Sequence, residues 1–137
     1  MMDFASEMFI YNATILRVVD GDTVDVMVDL GFSIHKKIRV RLYGIDAPES
    51  RTRDLAEKKL GLAAKARFKE ILDEQDNQVI LKSYGLGKYG RCLGELFYMR
   101  TEEVVYDGEV ETEVLKTSIN MQLIREGHGV HYHGGKR

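Results

Sequence analysis

The run from Val19 to Glu49 constrains this chain more than any other. It opens Val19-Asp20-Gly21-Asp22-Thr23 and closes Arg39-Val40-Arg41-Leu42-Tyr43-Gly44-Ile45-Asp46-Ala47-Pro48-Glu49. Between the ends, Thr23 to Leu30 alternates, with Val24, Val26, Val28 and Leu30 on one face and Asp25, Met27 and Asp29 on the other. Gly31 punctuates, and the alternation returns from Phe32 to Tyr43 with Ile34, Ile38, Val40 and Leu42 toward the core. Arg39 and Arg41 then project from the opposite face. With the β-branched run Met8–Val19 in front, the pattern predicts three strands joined by short turns. Such a meander brings the two ends together, and with them Asp20, Asp22, Asp46, Glu49 and the two arginines. Carboxylates so crowded need a cation, a proton or an arginine between them.

The rest of the chain builds around this stretch. Pro48, the only proline, stiffens the backbone between Asp46 and Glu49. A helix is predicted from Asp54 to about Glu74, with Leu60, Ala64, Phe68, Ile71 and Leu72 on its apolar face and Gly61 weakening it slightly. Val79–Leu81 reads as a fourth strand, Gly85–Gly90 as a glycine-rich loop and Cys92–Met99 as a fifth strand. Val104–Tyr106 and Glu109–Leu115 read as a hairpin on the Asp107-Gly108 turn. Ser118 is a candidate N-cap for a short helix ending at Glu126, with Gly127 after it. The last ten residues, His128–Arg137, are polar and glycine-rich and are expected to be partly mobile. The expected fold is mostly β with helices (α+β). It is a five-stranded OB-type barrel with a long helix after strand 3, a short helix near the C-terminus and an extra acidic hairpin.

With 137 residues, a single domain spanning 1–137 is expected. One cysteine, Cys92, excludes an internal disulfide and a multi-cysteine zinc site. No apolar run reaches membrane-spanning length. The acidic start Met1–Glu7 does not read as a signal peptide. A cytoplasmic location is the default reading, although a processed mature chain would look the same. Single copies are the expected state. The net charge of −2 sits awkwardly with a nucleic-acid partner. However, Glu102, Glu103, Asp107, Glu109, Glu111 and Glu113 lie together with no basic residue among them, and taking these six away leaves +4 on the remainder.

The chemistry follows from residue types. Asp22 in a tight turn and Asp46 at a strand end, with the carbonyl of Ala47 and waters, make an oxygen-only site suited to Ca²⁺ or Mg²⁺. With two carboxylates it should be weak, with a Kd on the order of 10⁻⁴–10⁻³ M. Arg41, and Arg91 after the glycine-rich loop, each offer a planar pair of donors to phosphate oxygens. Glu49, three residues beyond Asp46, is a candidate general base. Each has a plainer reading: Asp-Gly-Asp as turn chemistry, the arginines as surface charge, Glu49 as a carboxylate favoured by a helix N-terminus.

Three motifs in order resemble the staphylococcal (micrococcal) nuclease family, also called thermonuclease-like domains. They are Val19-Asp-Gly-Asp-Thr23, Arg41-Leu-Tyr-Gly-Ile-Asp46-Ala-Pro-Glu49 and Lys88-Tyr-Gly-Arg91. Asn120-Met-Gln-Leu-Ile-Arg-Glu-Gly127 resembles the family's last barrel helix, and the match covers about residues 8 to 133. The resemblance implies an OB-type barrel, one Ca²⁺ ion, and hydrolysis of DNA and RNA, single strands favoured, to 3′-phosphate products. It implies Asp22 and Asp46 as calcium ligands with the backbone carbonyl of Ala47, Arg41, Glu49 and Arg91 as catalytic residues, and Lys88 and Tyr89 on a terminal phosphate of the substrate. Asp20 fits a place behind the ligands. Tyr132 matches a base-stacking tyrosine, with the register among His131, Tyr132 and His133 left open. Ala47 stands where the family often has Thr, the acidic insert from about Met99 to Lys116 is longer than usual, and no final helix follows Tyr132.

Two other readings stand beside this one. An OB barrel with the same surface can grip single strands or a protein partner without cutting. His128, His131 and His133 can bind a transition metal, though polar residues of a flexible end look the same.

Overall fold

The computed structural model describes residues 8–132, excepting the side chain of Lys88. β1 (Ile10–Asp20), β2 (Thr23–Asp29) and β3 (His35–Leu42) form the expected antiparallel meander. Val24, Val26 and Val28 are buried, as their alternation requires. Leu30 and Ile34 are not, being 42% and 57% exposed. The ladder stops at Asp29, whose Oδ1 accepts the Gly31 amide at 2.9 Å, and Leu30 and Ile34 close the loop through backbone bonds. Side chains at this hairpin tip lie beyond the layer they were expected to face. β1 starts at Ile10 rather than Met8, after Phe9 in a left-handed conformation.

The remaining elements are β4 (Ile45–Asp46), α1 (Leu55–Glu74), β5 (Gln78–Leu86), β6 (Cys92–Tyr106), β7 (Glu109–Ser118), α2 (Ile119–Arg125) and β8 (Val130–His131). A single 3-10 turn, Lys88–Gly90, lies between β5 and β6. The strands run β3-β2-β1-β5-β6-β7, and β3 also pairs with β6 in parallel through Val40–Cys92, Arg41–Leu93 and Leu42–Gly94. That contact closes β1, β2, β3, β6 and β5 into a ring, the OB-type barrel expected from the pattern. Val24, Val26, Val40, Leu42, Leu81 and Leu96 fill it, covered by Phe68 and Ile71 of α1 and by Ile119 and Leu123 of α2.

The Asp54 side chain caps α1 by accepting the Ala56 and Glu57 amides. The buried face is Gly61, Ala64, Phe68, Ile71 and Leu72, whereas Leu60 is 60% exposed. Gly61, not Leu60, takes the inward place because the chain from Glu49 to Ser50 lies directly on the helix there. The expected fifth strand and separate hairpin are one continuous ribbon of β6 and β7, turning at Asp107 (φ 54°) and Gly108 (φ 82°). The polar run Arg100–Glu103 looked like a break, but each of these residues pairs across to Thr112–Leu115 of β7, which carries the strand through. Cys92 is buried, and burial pushes its thiol pKa up.

β8 was expected to be mobile chain, yet it pairs with β4. Two residues carry no readable period, which hid it. Ser118 caps α2 as expected, with Gly127 following at φ 82°. His133 and the basic tail lie outside the described residues.

Asn120, 2% exposed, ties α2 to the barrel. Its Nδ2 donates to the carbonyls of Tyr43 (2.9 Å) and Gly94 (3.1 Å), and its Oδ1 accepts the Leu96 amide (3.1 Å). Asn120→Ala leaves these buried groups without partners and should lower stability by about 1–3 kcal/mol in urea unfolding. At the end of α2, Arg67 of α1 holds the Glu126 carboxylate through Nε and Nη2 at 2.5 and 3.1 Å, with a further bond from Gln122. The Arg67 guanidinium, then Gln122, lowers the Glu126 pKa to about 2. The pair's stabilisation is therefore full above the ordinary glutamate range and is lost as pH falls toward 2. Because Glu126 is exposed, the effect is modest. Melting temperatures of the Glu126→Gln variant should fall less steeply across that acid window than those of the unaltered chain.

Candidate active site

The β2–β3 register sets Arg41 opposite Thr23, next to the turn that carries Asp22. The Leu42 amide donates to the Asp22 carbonyl at 2.8 Å, fixing the turn against the end of β3. Arg41 is on the non-core face, as its alternation predicts, but its side chain is only 13% exposed. Nη1 donates to the carbonyls of Leu42 (3.0 Å) and Ile45 (2.7 Å). Nη2 lies 3.3 Å from Asp46 Oδ1 and 3.5 Å from Asp22 Oδ2. Both carboxylates thus share one guanidinium nitrogen. Asp22 is held further by the Ala47 amide on Oδ2 (2.9 Å) and by the Thr23 hydroxyl on Oδ1 (3.0 Å). Arg39, expected in the same cluster, instead forms a forked pair with Asp25 at 2.8 and 3.1 Å. That bond holds the Asp25 carboxyl below its usual range.

The loop after β4 is fixed from behind. Ser50 is 4% exposed, and its amide and hydroxyl donate to Asp20 Oδ1 at 3.2 and 2.5 Å. On the other side the loop rests on Gly61, where an added Cβ would stand 2.3 Å from the Glu49 carbonyl oxygen. Gly21 is wedged the same way between the methyl groups of Ala64 and Ala47. Glu49 itself is exposed, and its amide faces Glu57 Oε1 at 3.4 Å. Sequence reasoning missed Ser50 and the supporting role of Gly61. A serine after an acid carries no motif signal, whereas a glycine inside a helical pattern is itself a sign of close packing.

Of the expected residues, Asp22, Arg41, Asp46 and Ala47 are brought together. Tyr132 joins them, since β8 is anchored on β4 and the Arg41 Cζ lies 5.8 Å from its ring centroid. Tyr132 is thus the described aromatic beside Arg41, while His131 pairs with Ile45. Arg91 is half-buried at the entrance to β6, two positions ahead of Leu93, the partner of Arg41. Tyr89 is 95% exposed with φ 61°, standing off the barrel, and the Lys88 side chain lies outside the described residues. An apolar hollow of about 400 Å³ opens beside Asp46, walled by Ala47, Pro48, Leu60 and Val130. Among the described residues, no cluster of three or more His, Cys, Asp or Glu has metal-holding geometry. No described helix is long and apolar enough to cross a membrane.

Residues 39–136 match the profile of the family described as staphylococcal nuclease homologue. The chain belongs to this family. The matched segment contains Arg41, Asp46, Glu49 and Arg91 but begins after Asp22. Micrococcal nuclease of Shigella flexneri is 33% identical over 117 residues, covering 85% of this chain and 56% of that protein. Protein ParB of Escherichia coli is 36% identical over 84 residues, covering 61% of this chain and 40% of that protein. The chain spans about half the length of the curated relatives it matches.

Gly61→Ala gains helix propensity of about 1 kcal/mol but drives a methyl into the Glu49 backbone. Overpacking should prevail, with a net loss of roughly 1–2 kcal/mol and amide chemical-shift changes centred on Glu49 and Ser50. A stabilised variant with unmoved Glu49 and Ser50 signals would contradict this account of the loop.

Proposed function

We propose that this chain is a nuclease that hydrolyses phosphodiester bonds in DNA and RNA. The carrying observation is Arg41 held between Asp22 and Asp46 at the end of β3, with Glu49 three residues on along a braced loop. In this reading, Arg41 and Arg91 take the charge that develops on the phosphate oxygens. Glu49 removes a proton from the attacking water. Tyr132 stacks a base, and Lys88 and Tyr89 meet a neighbouring phosphate.

The donor set fits a hard cation. Asp22 and Asp46 offer only oxygens and share one guanidinium, so the trio carries a net negative charge. A dication would reverse that sign and make room for an anionic substrate. Ca²⁺ would be held by Asp22, Asp46 and the Ala47 carbonyl. When bound, it would act as a Lewis acid toward a phosphate oxygen. The 3′-phosphate products and the calcium preference rest on family membership. The relative named micrococcal nuclease supports the reaction class. We take residues 1–137 as one domain carrying the whole site.

The test is cleavage of plasmid and single-stranded DNA at low salt with Ca²⁺, Mg²⁺ or EDTA in parallel. Ca²⁺-dependent cleavage is expected. Arg41→Ala should lose about 10²–10³ in kcat, and Glu49→Gln should lose a comparable factor. Full activity in both variants would remove the mechanism. Oligonucleotide binding by folded protein with no cleavage in any metal would instead favour a binding barrel.

A further inference from the structure

Beyond the barrel, β6 and β7 continue as a two-stranded ribbon. From the Tyr98–Thr117 pair to the Tyr106–Glu109 pair, each strand has only the other as its ladder neighbour. The pairing register sorts the side chains onto two faces. One face carries Met99, Val105, Val110 and Val114, which are 51%, 72%, 64% and 65% exposed, with Glu103 and Lys116 as its charges. The other carries Glu102, Glu109, Glu111 and Glu113 beside Arg100, with Val104, Leu115 and the 73% exposed Tyr106 among them.

Such a ribbon is at best marginally stable alone in water. Met99, Val105, Val110 and Val114 leave large apolar groups in water on one face, which favours a ribbon covered there.

We infer that the apolar face docks on the same face of a second copy of this chain. The arms lie antiparallel about a two-fold axis through the Thr101–Val114 pair. The charges select this register. On this face, Glu103 is one pair toward the tip from the axis and Lys116 is one pair toward the root. The two-fold therefore lays the Glu103–Thr112 pair of one arm over the Met99–Lys116 pair of the other, and does so twice. It also lays Val105–Val110 over Phe97–Ser118, beside the ring that the Lys116 ammonium faces at 4.4 Å. A parallel arrangement would bring the two Glu103 positions together instead. The acidic faces point outward on opposite sides of two layers stacked about 10 Å apart, where both stay solvated. The contact is self-complementary and closes at two copies.

The experiment is sedimentation equilibrium of the full chain over a range of concentrations. A dimer is expected. Val105→Glu with Val110→Glu should be monomeric, with the far-ultraviolet circular dichroism of the barrel retained. Glu103→Lys and Lys116→Glu should each weaken the dimer roughly tenfold, because each breaks two attractions and sets like charges face to face. The two combined should restore it. A chain monomeric at every concentration overturns the proposal and leaves the face to a different protein. A dimer that survives the valine changes, or a charge reversal that restores nothing, overturns it too.

Discussion

Two carboxylates set into one half-buried corner repel unless a counter-charge stands between them, and here Arg41 is that charge. Its position depends on register. Thr23 opposite Arg41 places the guanidinium against the Asp22 turn, and the parallel Arg41–Leu93 pairing seals the far side. A slip of one residue in β3 would send Arg41 into the barrel and Val40 out of it. The same register that buries Val24, Val40 and Leu42 therefore brings the charged trio together. Core packing and site geometry are one constraint, and the site gains its precision from the stability of the ring.

Backbone contacts supply the second layer of order. Asp20 does not point at Arg41. It takes two bonds from Ser50 and so pins the chain just past Glu49. Gly61 and Gly21 let the helix and the turn approach that chain more closely than any side chain would allow. In the role proposed for Glu49, a general base on a surface loop must be held to within a fraction of an ångström to be useful. The Asp20–Ser50 bonds and the Gly61 contact hold the backbone of Glu49 from two directions while its side chain stays at the surface. This arrangement accounts for an acid in the first motif that binds nothing in the trio.

The legible parts of this chain were those with a period or a motif. Alternation through Val24–Val28 and Val40–Leu42, the cap at Ser118 and the Asp107-Gly108 turn all declared themselves. The meander also declared that Asp22, Asp46 and Arg41 come together, but not that one guanidinium would stand between the two carboxylates. What stayed hidden depended on distant contacts. Leu30, Ile34 and Leu60 have the right chemistry for a core but sit where no second layer reaches them. β8 is too short to show a pattern, and it exists because β4 is there to pair with it. The long ribbon was hidden in the same way. The polar run Arg100–Glu103 interrupts the apolar alternation of β6, and only its pairing with Thr112–Leu115 of β7 carries the strand through it.

The overall charge of −2 also has to be read through the fold. Leu93 pairs with Arg41, and Glu102 lies nine positions farther along the same strand. At about 3.3 Å per residue this is roughly 30 Å along β6. The Debye length at 0.1 M salt is about 10 Å, so the acids of the ribbon are largely screened from the corner around Arg41. Glu113 stands opposite Glu102, and Glu103, Asp107, Glu109 and Glu111 are nearer the tip. The six acids that set the sign of the whole chain therefore contribute little to the field an incoming polyanion would meet. That field comes from the remaining +4, and the acidic ribbon is electrostatically a separate surface.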